Sequence, residues 1–337
     1  MMPHETGSIA AAKALPPDRE RLSRFSASLE AIWPDGWGAG SDGSAKLGLA
    51  VSGGPDSCAL LMLAAHALPG RVEAATVDHQ LRPEAAQEAE FVAGLCERLS
   101  VPHRILAVDV ADGNVQAEAR RARYAALRDW MAERGLSALA TAHHADDQAE
   151  TLIMRLNRAS GVAGLSGTRE RGLVPESRIP LLRPLLGWRR AELQEVVDAA
   201  GVQAAQDPSN LDDRYDRVRL RKALASADWL DIGAIAESAS HLADADAALE
   251  WATRREWAEC VRKEPLGMSY RPQAPRAVAL RVIARIVEDM EGEAPRGSAV
   301  ARVFDALVSG SPASIGNLVA RPDVKKWSFT KAPRRKA

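Results

Sequence analysis

From Lys46 to about residue 161, short apolar runs alternate with longer stretches in which apolar residues recur every three or four positions. KLGLAVS, VEAATVDH, HRILAVDV and LSALATAHH are too short for helices, and they read as strands. CALLMLAAHAL, PEAAQEAEFVAGLCERLS, VQAEARRARYAALRDWMAERG and DDQAETLIMRLNRASG follow them as helices, the third stopped by Gly135. Strands alternating with helices pair in parallel, so the pattern predicts a doubly wound α/β sheet. Upstream, Leu22, Phe25, Leu29 and Ile32 predict one amphipathic helix, between Pro16-Pro17 and a Gly/Ser/Asp cluster at 36–44.

From about Leu230 the pattern changes. IGAIAESASHLADADAALEWATRREWAECVRK has no proline, and no glycine after Gly233, and predicts one long helix. PRAVALRVIARIVEDM and GSAVARVFDALVSG predict shorter ones, and GNLVARPDVKKWSFTK resembles a β-hairpin weakened at Pro322. The expected organisation is an N-terminal extension (1–45), an α/β domain (46–224) and a second, mainly helical domain (225–337).

Composition narrows the class. The chain has 337 residues, 46% hydrophobic and 26% charged, as in an ordinary soluble protein. No apolar run reaches the roughly 18 residues of a membrane helix, and the N-terminus lacks the apolar core of a signal peptide. The expectation is a cytoplasmic protein with no membrane partner. Cys58, Cys96 and Cys260 lie far apart and suggest neither a disulfide framework nor a zinc site. The net charge of −1 does not announce a nucleic-acid binder. Locally, Arg321, Lys325, Lys326, Lys331, Arg334, Arg335 and Lys336 stand against Asp323 alone. Such a tail is either a nucleic-acid contact or a solvated end.

The polar motifs fall at the ends of the predicted strands: Ser52–Ser57 after the first, Asp78-His79 after the second, His143-His144 after the fourth. Parallel sheets bind ligands beyond these ends. A glycine-rich turn into a helix presents backbone N–H groups and a favourable field to phosphate. Gly53 and Gly54 permit close approach, and Ser52 and Ser57 offer hydroxyls. GxxxxGK[ST] is absent. Asp56 beside phosphate requires a cation, and Mg²⁺ held by one carboxylate and phosphate oxygens answers that need. A simple capped turn is the competing reading. Arg120 and Arg123 share one helix face, and Arg120 is favoured as the charge opposite an α-phosphate.

Ser-Gly-Gly-x-Asp-Ser after a strand resembles the PP-loop of the N-type ATP pyrophosphatases, which cleave ATP between the α and β phosphates and adenylylate a substrate. Further stretches narrow the resemblance. VDHQLRPEAAQEAEFV (77–92), EARRARYAAL (118–127), ATAHHADDQAETLIMRLNRASGVAGLSG (140–167), and PLLRPLL, QDPSN and YDRVRLRKAL (within 180–224) are similar, in order, to motifs of the tRNA(Ile)-lysidine synthases. Ala142, the segment 157–161 and Val218 depart from the usual pattern.

The resemblance implies an adenine-nucleotide α-hydrolase-like fold. It implies ATP and Mg²⁺ as cofactors, and free L-lysine and an isoleucine tRNA with a CAU anticodon as partners; a homodimer is compatible with it. The implied reaction joins lysine to carbon 2 of the wobble cytidine through an adenylylated intermediate. Ser52, Gly53, Gly54, Pro55, Asp56 and Ser57 then bind ATP phosphates, with Asp56 the metal ligand, and Val77 and Asp78 meet adenine. Asp78 also suits a plain strand-end cap. Asp146, Asp147 and Glu150 are the expected lysine ligands, because lysine brings two ammonium groups. Its ε-amine must lose a proton before attack, to Asp147 or His144. Arg217, Arg219 and Arg221 are expected on the anticodon stem-loop. Two other readings stand beside this one. The first is a tRNA thiolation enzyme of the same superfamily, whose chemistry commonly uses cysteine pairs. The second is an inactive tRNA-binding protein, against which Asp56 and the acids at 146–150 argue.

Overall fold

The computed structural model describes residues 16–37, 44–80, 84–109, 111, 115–205, 214 and 216–332. QDPSN, Tyr215 and the basic residues Arg334–Lys336 lie outside them. The chain forms two compact units, one up to His241 and one from Leu242 onward.

The first unit contains α1 (Arg19–Ile32), α2 (Pro34–Trp37), β1 (Leu47–Ala50), α3 (Pro55–Ala67), β2 (Val72–Asp78), α4 (Glu84–Arg98), β3 (His103–Ala107), α5 (Val115–Arg134), β4 (Ala138–Ala140), α6 (Ala145–Leu156), α7 (Val162–Leu165), β5 (Arg171–Leu173), β6 (Pro180–Leu182), α8 (Arg190–Ala199) and α9 (Asp216–Ala225). Its sheet has the order β3-β2-β1-β4-β6-β5, parallel except for β5. The chain builds outward from β1 through β2 to β3, then returns to place β4 on the other side of β1. The connections leaving β1 and β4 therefore diverge, and a crevice opens between them at the C-terminal edge.

Helices cover both faces of the sheet, so its central strands are apolar throughout rather than alternating. Leu47, Leu49 and Val51 pack with Leu60 and Leu63 of α3, Phe25 and Leu29 of α1, and Val197 of α8. On the other face Tyr124, Leu127, Trp130 and Met131 of α5 pack with Ala75, Leu139 and Leu181. Gly48 belongs to this packing: a Cβ there would come within 3.0 Å of the Trp130 ring. Asp18 caps α1 by accepting from the Arg21 amide at 2.9 Å. The predicted amphipathic helix is therefore part of this core. Arg24 holds it there, 4.4 Å over the Trp188 ring and 2.6 Å from Glu192.

The helix α10 (Ile232–Cys260) runs from the first unit into the second, which adds β7 (Val261–Glu264), β8 (Gly267–Tyr270), α11 (Arg276–Glu291), α12 (Gly297–Val308), β9 (Ala313–Ile315), β10 (Leu318–Pro322) and β11 (Trp327–Lys331). Here the expected helices are present, and the strands number more than the one expected hairpin. The helices pack on a five-stranded antiparallel sheet of order β7-β8-β11-β10-β9. Met268, Tyr270, Leu318 and Phe329 bury against Val282, Ile286, Val303 and Leu307. The hairpin over 318–331 is present, and Pro322 is tolerated because it stands at the strand end, opposite Trp327. Among the described residues no helix is long and apolar enough to cross a membrane.

Candidate active site

The Ser52–Ser57 turn sits at the crevice between β1 and β4. Gly53 has φ +90°, a conformation that β-carbons disfavour, and it turns the chain from strand to helix. Gly54 is the N-cap of α3 and Pro55 its first residue, where a missing N–H costs nothing. The helix thus starts earlier than its apolar pattern, and Asp56 and Ser57 lie in its first turn. Ser57 Oγ donates to the Gly54 carbonyl at 2.9 Å and accepts from the Ser52 amide at 3.2 Å. The Ala205 amide donates to the Gly53 carbonyl at 3.0 Å and pins the loop from outside.

The loop opens onto a cavity of about 670 Å³, within the range of small-molecule sites. Ser52, Gly54, Asp56 and Ser57 line one side; Val77 and His79 a second; Arg123 and Tyr124 of α5 a third; Thr141, His143 and Asp147 a fourth. Among the described residues, buried Asp56 Oδ1 and His79 Nδ1 have no hydrogen-bond partner. Buried polar atoms are nearly always paired, so this concentration along one cavity marks a place for a polar ligand.

His144 is the N-cap of α6, 1% exposed in its side chain, with Asp56 at 3.4 Å and Asp146 and Asp147 each at 3.6 Å. Burial opposes its charge, but these three carboxylates prevail and raise its pKa to about 9. These carboxylates favour its protonated form. His143 is the opposite. Burial, reinforced by Arg183, Arg123 and Arg217 and opposed by Asp147, lowers its pKa to about 4. Its Nδ1 lies 2.9 Å from Thr141 Oγ1. Burial pushes the Asp56 carboxyl up, yet His144, Arg190 and Arg221 hold it below its usual range.

The acids of α6 are not free. Asp146 accepts both Arg189 nitrogens at 3.2 Å and the Arg190 amide at 2.8 Å, capping α8. Burial raises its pKa, but His144 and Arg189 outweigh burial and keep it well below the carboxylate range. Glu150 accepts Arg217 at 2.6 Å and Arg221 at 2.8 Å, and Asp147 accepts Arg217 at 2.9 Å. Of the three predicted lysine ligands only Asp147 lines the cavity. Of the three predicted RNA-facing arginines, Arg217 and Arg221 turn inward to Glu150, and Arg219 stays outside, paired with Asp216 at 2.5 Å. Both outcomes have one cause: a spacing pattern displays charges but not their mutual partners.

Two further residues differ from expectation. Arg120 is exposed and does not line the cavity, whereas Arg123, one turn on, does. Asp78 caps the end of β2, accepting the Gln80 amide at 2.8 Å, and leaves the wall to Val77 and His79. Sequence reading also missed Arg189 and Arg190; the signal was the basic pair in GWRRAEL, just before an apolar-periodic helix. Arg190 lies 3.6 Å from Asp56. Cys58, Cys96 and Cys260 are all buried, and burial pushes the first two thiols up to about 12, so neither is a ready nucleophile or ligand.

A glycine turn into a buried helix at the switch point of a parallel sheet, with a carboxylate in the first turn whose Oδ1 has no partner among the described residues, defines a nucleotide-binding α/β protein. The PP-loop domain profile matches residues 22–227. A tRNA(Ile)-lysidine synthase of Novosphingobium aromaticivorans is 47% identical over 315 residues, 92% of this chain and 94% of its own. One of Zymomonas mobilis is 42% identical over 300 residues, 87% of this chain and 90% of its own. A solved U34-tRNA thiolase of Methanococcus maripaludis shares the fold, with TM-score 0.53 over 66% of this chain and 78% of that one, at 14% identity. The chain belongs to the PP-loop family, and within it to the tRNA(Ile)-lysidine synthases.

Proposed function

We propose that this protein uses ATP to activate the wobble cytidine of an isoleucine tRNA with a CAU anticodon, and then joins free L-lysine to it. Cytidine O2 attacks the α-phosphorus and pyrophosphate departs. The ε-amine of lysine attacks carbon 2, and AMP departs with O2. One proton leaves the ammonium before attack and a second leaves the nitrogen afterwards.

The observation that carries the nucleotide half of this reading is the unpartnered Asp56 Oδ1 beside the phosphate loop. Among the described residues no cluster of three or more His, Cys, Asp or Glu side chains could hold a metal. A single carboxylate beside a phosphate loop suits Mg²⁺, which takes one or two carboxylates and completes its shell with phosphate and water. Asp56 would hold Mg²⁺, which would supply positive charge opposite the phosphates. The loop amides and the α3 N-terminus bind the β and γ phosphates. Val77 and His79 border the adenine side.

Asp147 is the acid that meets the lysine ammonium, while Asp146 and Glu150 frame the site through arginine. Asp147, which lines the cavity, accepts the proton once the bound ammonium is desolvated. His144, charged, holds Asp56 and Asp147 in register. RNA affinity comes from Arg219 and from the cations of the second unit.

Mass analysis of nucleoside 34 after incubation with tRNA, ATP and lysine tests the proposal. A lysyl adduct that requires both ATP and lysine is expected. A sulfur-containing nucleoside, or an unchanged cytidine in the presence of an active ATP site, would overturn it.

A further inference from the structure

The helix α1, outside the α/β domain expected from the sequence, reaches toward the phosphate loop through Arg24. This side chain grips the turn between β6 and α8 at three points. Its guanidinium lies 4.4 Å over the Trp188 ring, Nη2 donates to the Gly187 carbonyl at 2.7 Å, and Nη1 donates to Glu192 at 2.6 Å. Trp188 is 1% exposed and belongs to the core beneath the sheet, so its ring is a fixed platform for the cation. Glu192 is committed to the helix end, where it accepts the Arg189 amide at 2.7 Å in a capping box.

The same turn meets the site on its other side. The Trp188 carbonyl accepts the amide of Ala145, the first residue of α6, at 2.8 Å. The Arg190 amide donates to Asp146 at 2.8 Å, and the Arg190 guanidinium lies 3.6 Å from Asp56 Oδ2. His144 addresses that same oxygen, at 3.4 Å. Both cations therefore stand at Oδ2, and Oδ1 is left without a partner among the described residues. Arg190 thus helps to set which carboxylate oxygen Asp56 presents. The grip of Arg24 is poorly placed to stabilise the fold, because its side chain is 42% exposed and that of Glu192 34%. It is well placed to fix geometry: a planar fork held over a ring, with acceptors on two of its nitrogens, has one orientation. Arg21 is the contrast on the same helix. It pairs with Asp18 at 3.1 Å and with Glu195, which lies a turn further along α8 from the residues that face Asp56.

We propose that Arg24 is a positioning residue for the nucleotide site: it holds the start of α8, and with it Arg190, where Arg190 orients the Asp56 carboxylate. The proposal rests on the nucleotide reading above, in which Asp56 would hold Mg²⁺. A misplacement of about 1 Å in such a site costs up to about a hundredfold in rate, even when its cause lies far from the reacting atoms. The helix α1 then serves the site as well as the core.

The full-length protein is compared as the parent, Arg24→Gln, Arg24→Lys, Arg190→Gln, Arg24→Gln with Arg190→Gln, and Arg21→Gln. Mg²⁺–pyrophosphate affinity is read by calorimetric titration without turnover, and unfolding by denaturant. Arg24→Gln should weaken Mg²⁺–pyrophosphate by about tenfold with a nearly unchanged unfolding midpoint, and Arg190→Gln by at least as much. The double variant should bind no more weakly than Arg190→Gln alone, because residues that act through one another do not add. Arg24→Lys keeps the charge toward Glu192 without the fork, and should recover part of the affinity. Arg21→Gln should bind as the parent does. If Arg24→Gln does not fold, Glu192→Gln takes its place, since it keeps the cap and loosens the grip, with a few-fold loss expected. Additive losses in the double variant, or parent-like affinity in a folded Arg24→Gln, would overturn the proposal alone. A parent that does not bind Mg²⁺–pyrophosphate would overturn the nucleotide reading and the proposal with it.

Discussion

The arginines flanking the cavity form two walls that contrast, and only Arg123 among them lines it. On the side of α6, α8 and α9, Arg189, Arg217 and Arg221 each close on an acid: Asp146, Asp147 or Glu150. On the side of α5 and β6, Arg123 and Arg183 close on none among the described residues. The first wall is an electrostatic lattice that fixes α8 and α9 against α6, with its charge already spent inside the protein. On the second, Arg123 reaches the cavity with no carboxylate in salt-bridge reach among the described residues. Removing a residue from the first should therefore act mainly on stability, and from the second mainly on binding.

The largest expected effect is at the loop between the walls. Asp56→Ala should abolish tRNA-dependent pyrophosphate release, read in a coupled assay, while tRNA affinity stays near that of the parent. Next, Glu150→Gln should lower unfolding free energy by about 2 kcal/mol in denaturant titration, less than a fully buried pair because Arg217 and Arg221 keep some contact with water. Arg123→Gln should leave that midpoint alone and reduce pyrophosphate release by about ten- to a hundredfold. If the two variants exchange these signatures, the contrast between the walls is wrong.

The adjacent histidines sharpen the same contrast in titration. His144, facing three acids, should still carry its proton at pH 8 in imidazole NMR, and His143 should be neutral at pH 6. The raised pKa of His144 adds stability in full below the unfolded value of about 6.5, and that contribution is lost as pH rises through about 9. The lowered pKa of His143 works in reverse: its contribution stands above about 6.5 and is lost as pH falls through about 4. His144→Gln should remove the alkaline loss and His143→Gln the acid loss. The smallest effect lies in the second unit. Deletion after Pro312 would remove β9, β10 and β11 with core residues Trp327 and Phe329, so charge is better tested singly. Lys325→Gln or Lys331→Gln should each lower the salt slope of tRNA binding by about one if it meets a phosphate, and by nothing if it is solvated.

The central strands and helices of the first unit were legible because burial on both sheet faces leaves apolar runs between glycine, histidine and acid. Strands β5 and β6 have three residues each and show no period. VRKE continues α10 without a breaking residue, so β7 read as helix, and its sheet was missed with it. In the site, Ser52–Ser57 and His143-His144 could be placed because strand order brings their strand ends together. The partners of Asp146, Glu150, Arg217 and Arg221 could not, since those pairs join residues some 40 to 70 positions apart. Arg183 was passed over for a related reason: an arginine in PLLRPLL shows its charge in the sequence, but not that it is buried.

The central claim is that activation at the loop precedes attack by lysine. Incubation of the protein with tRNA and ATP labelled in the α-phosphate, with lysine omitted, tests it directly. The account predicts that label becomes attached to the tRNA with release of pyrophosphate, and that added lysine then frees it as AMP. Label that never joins the tRNA, or that joins and resists lysine, would contradict it.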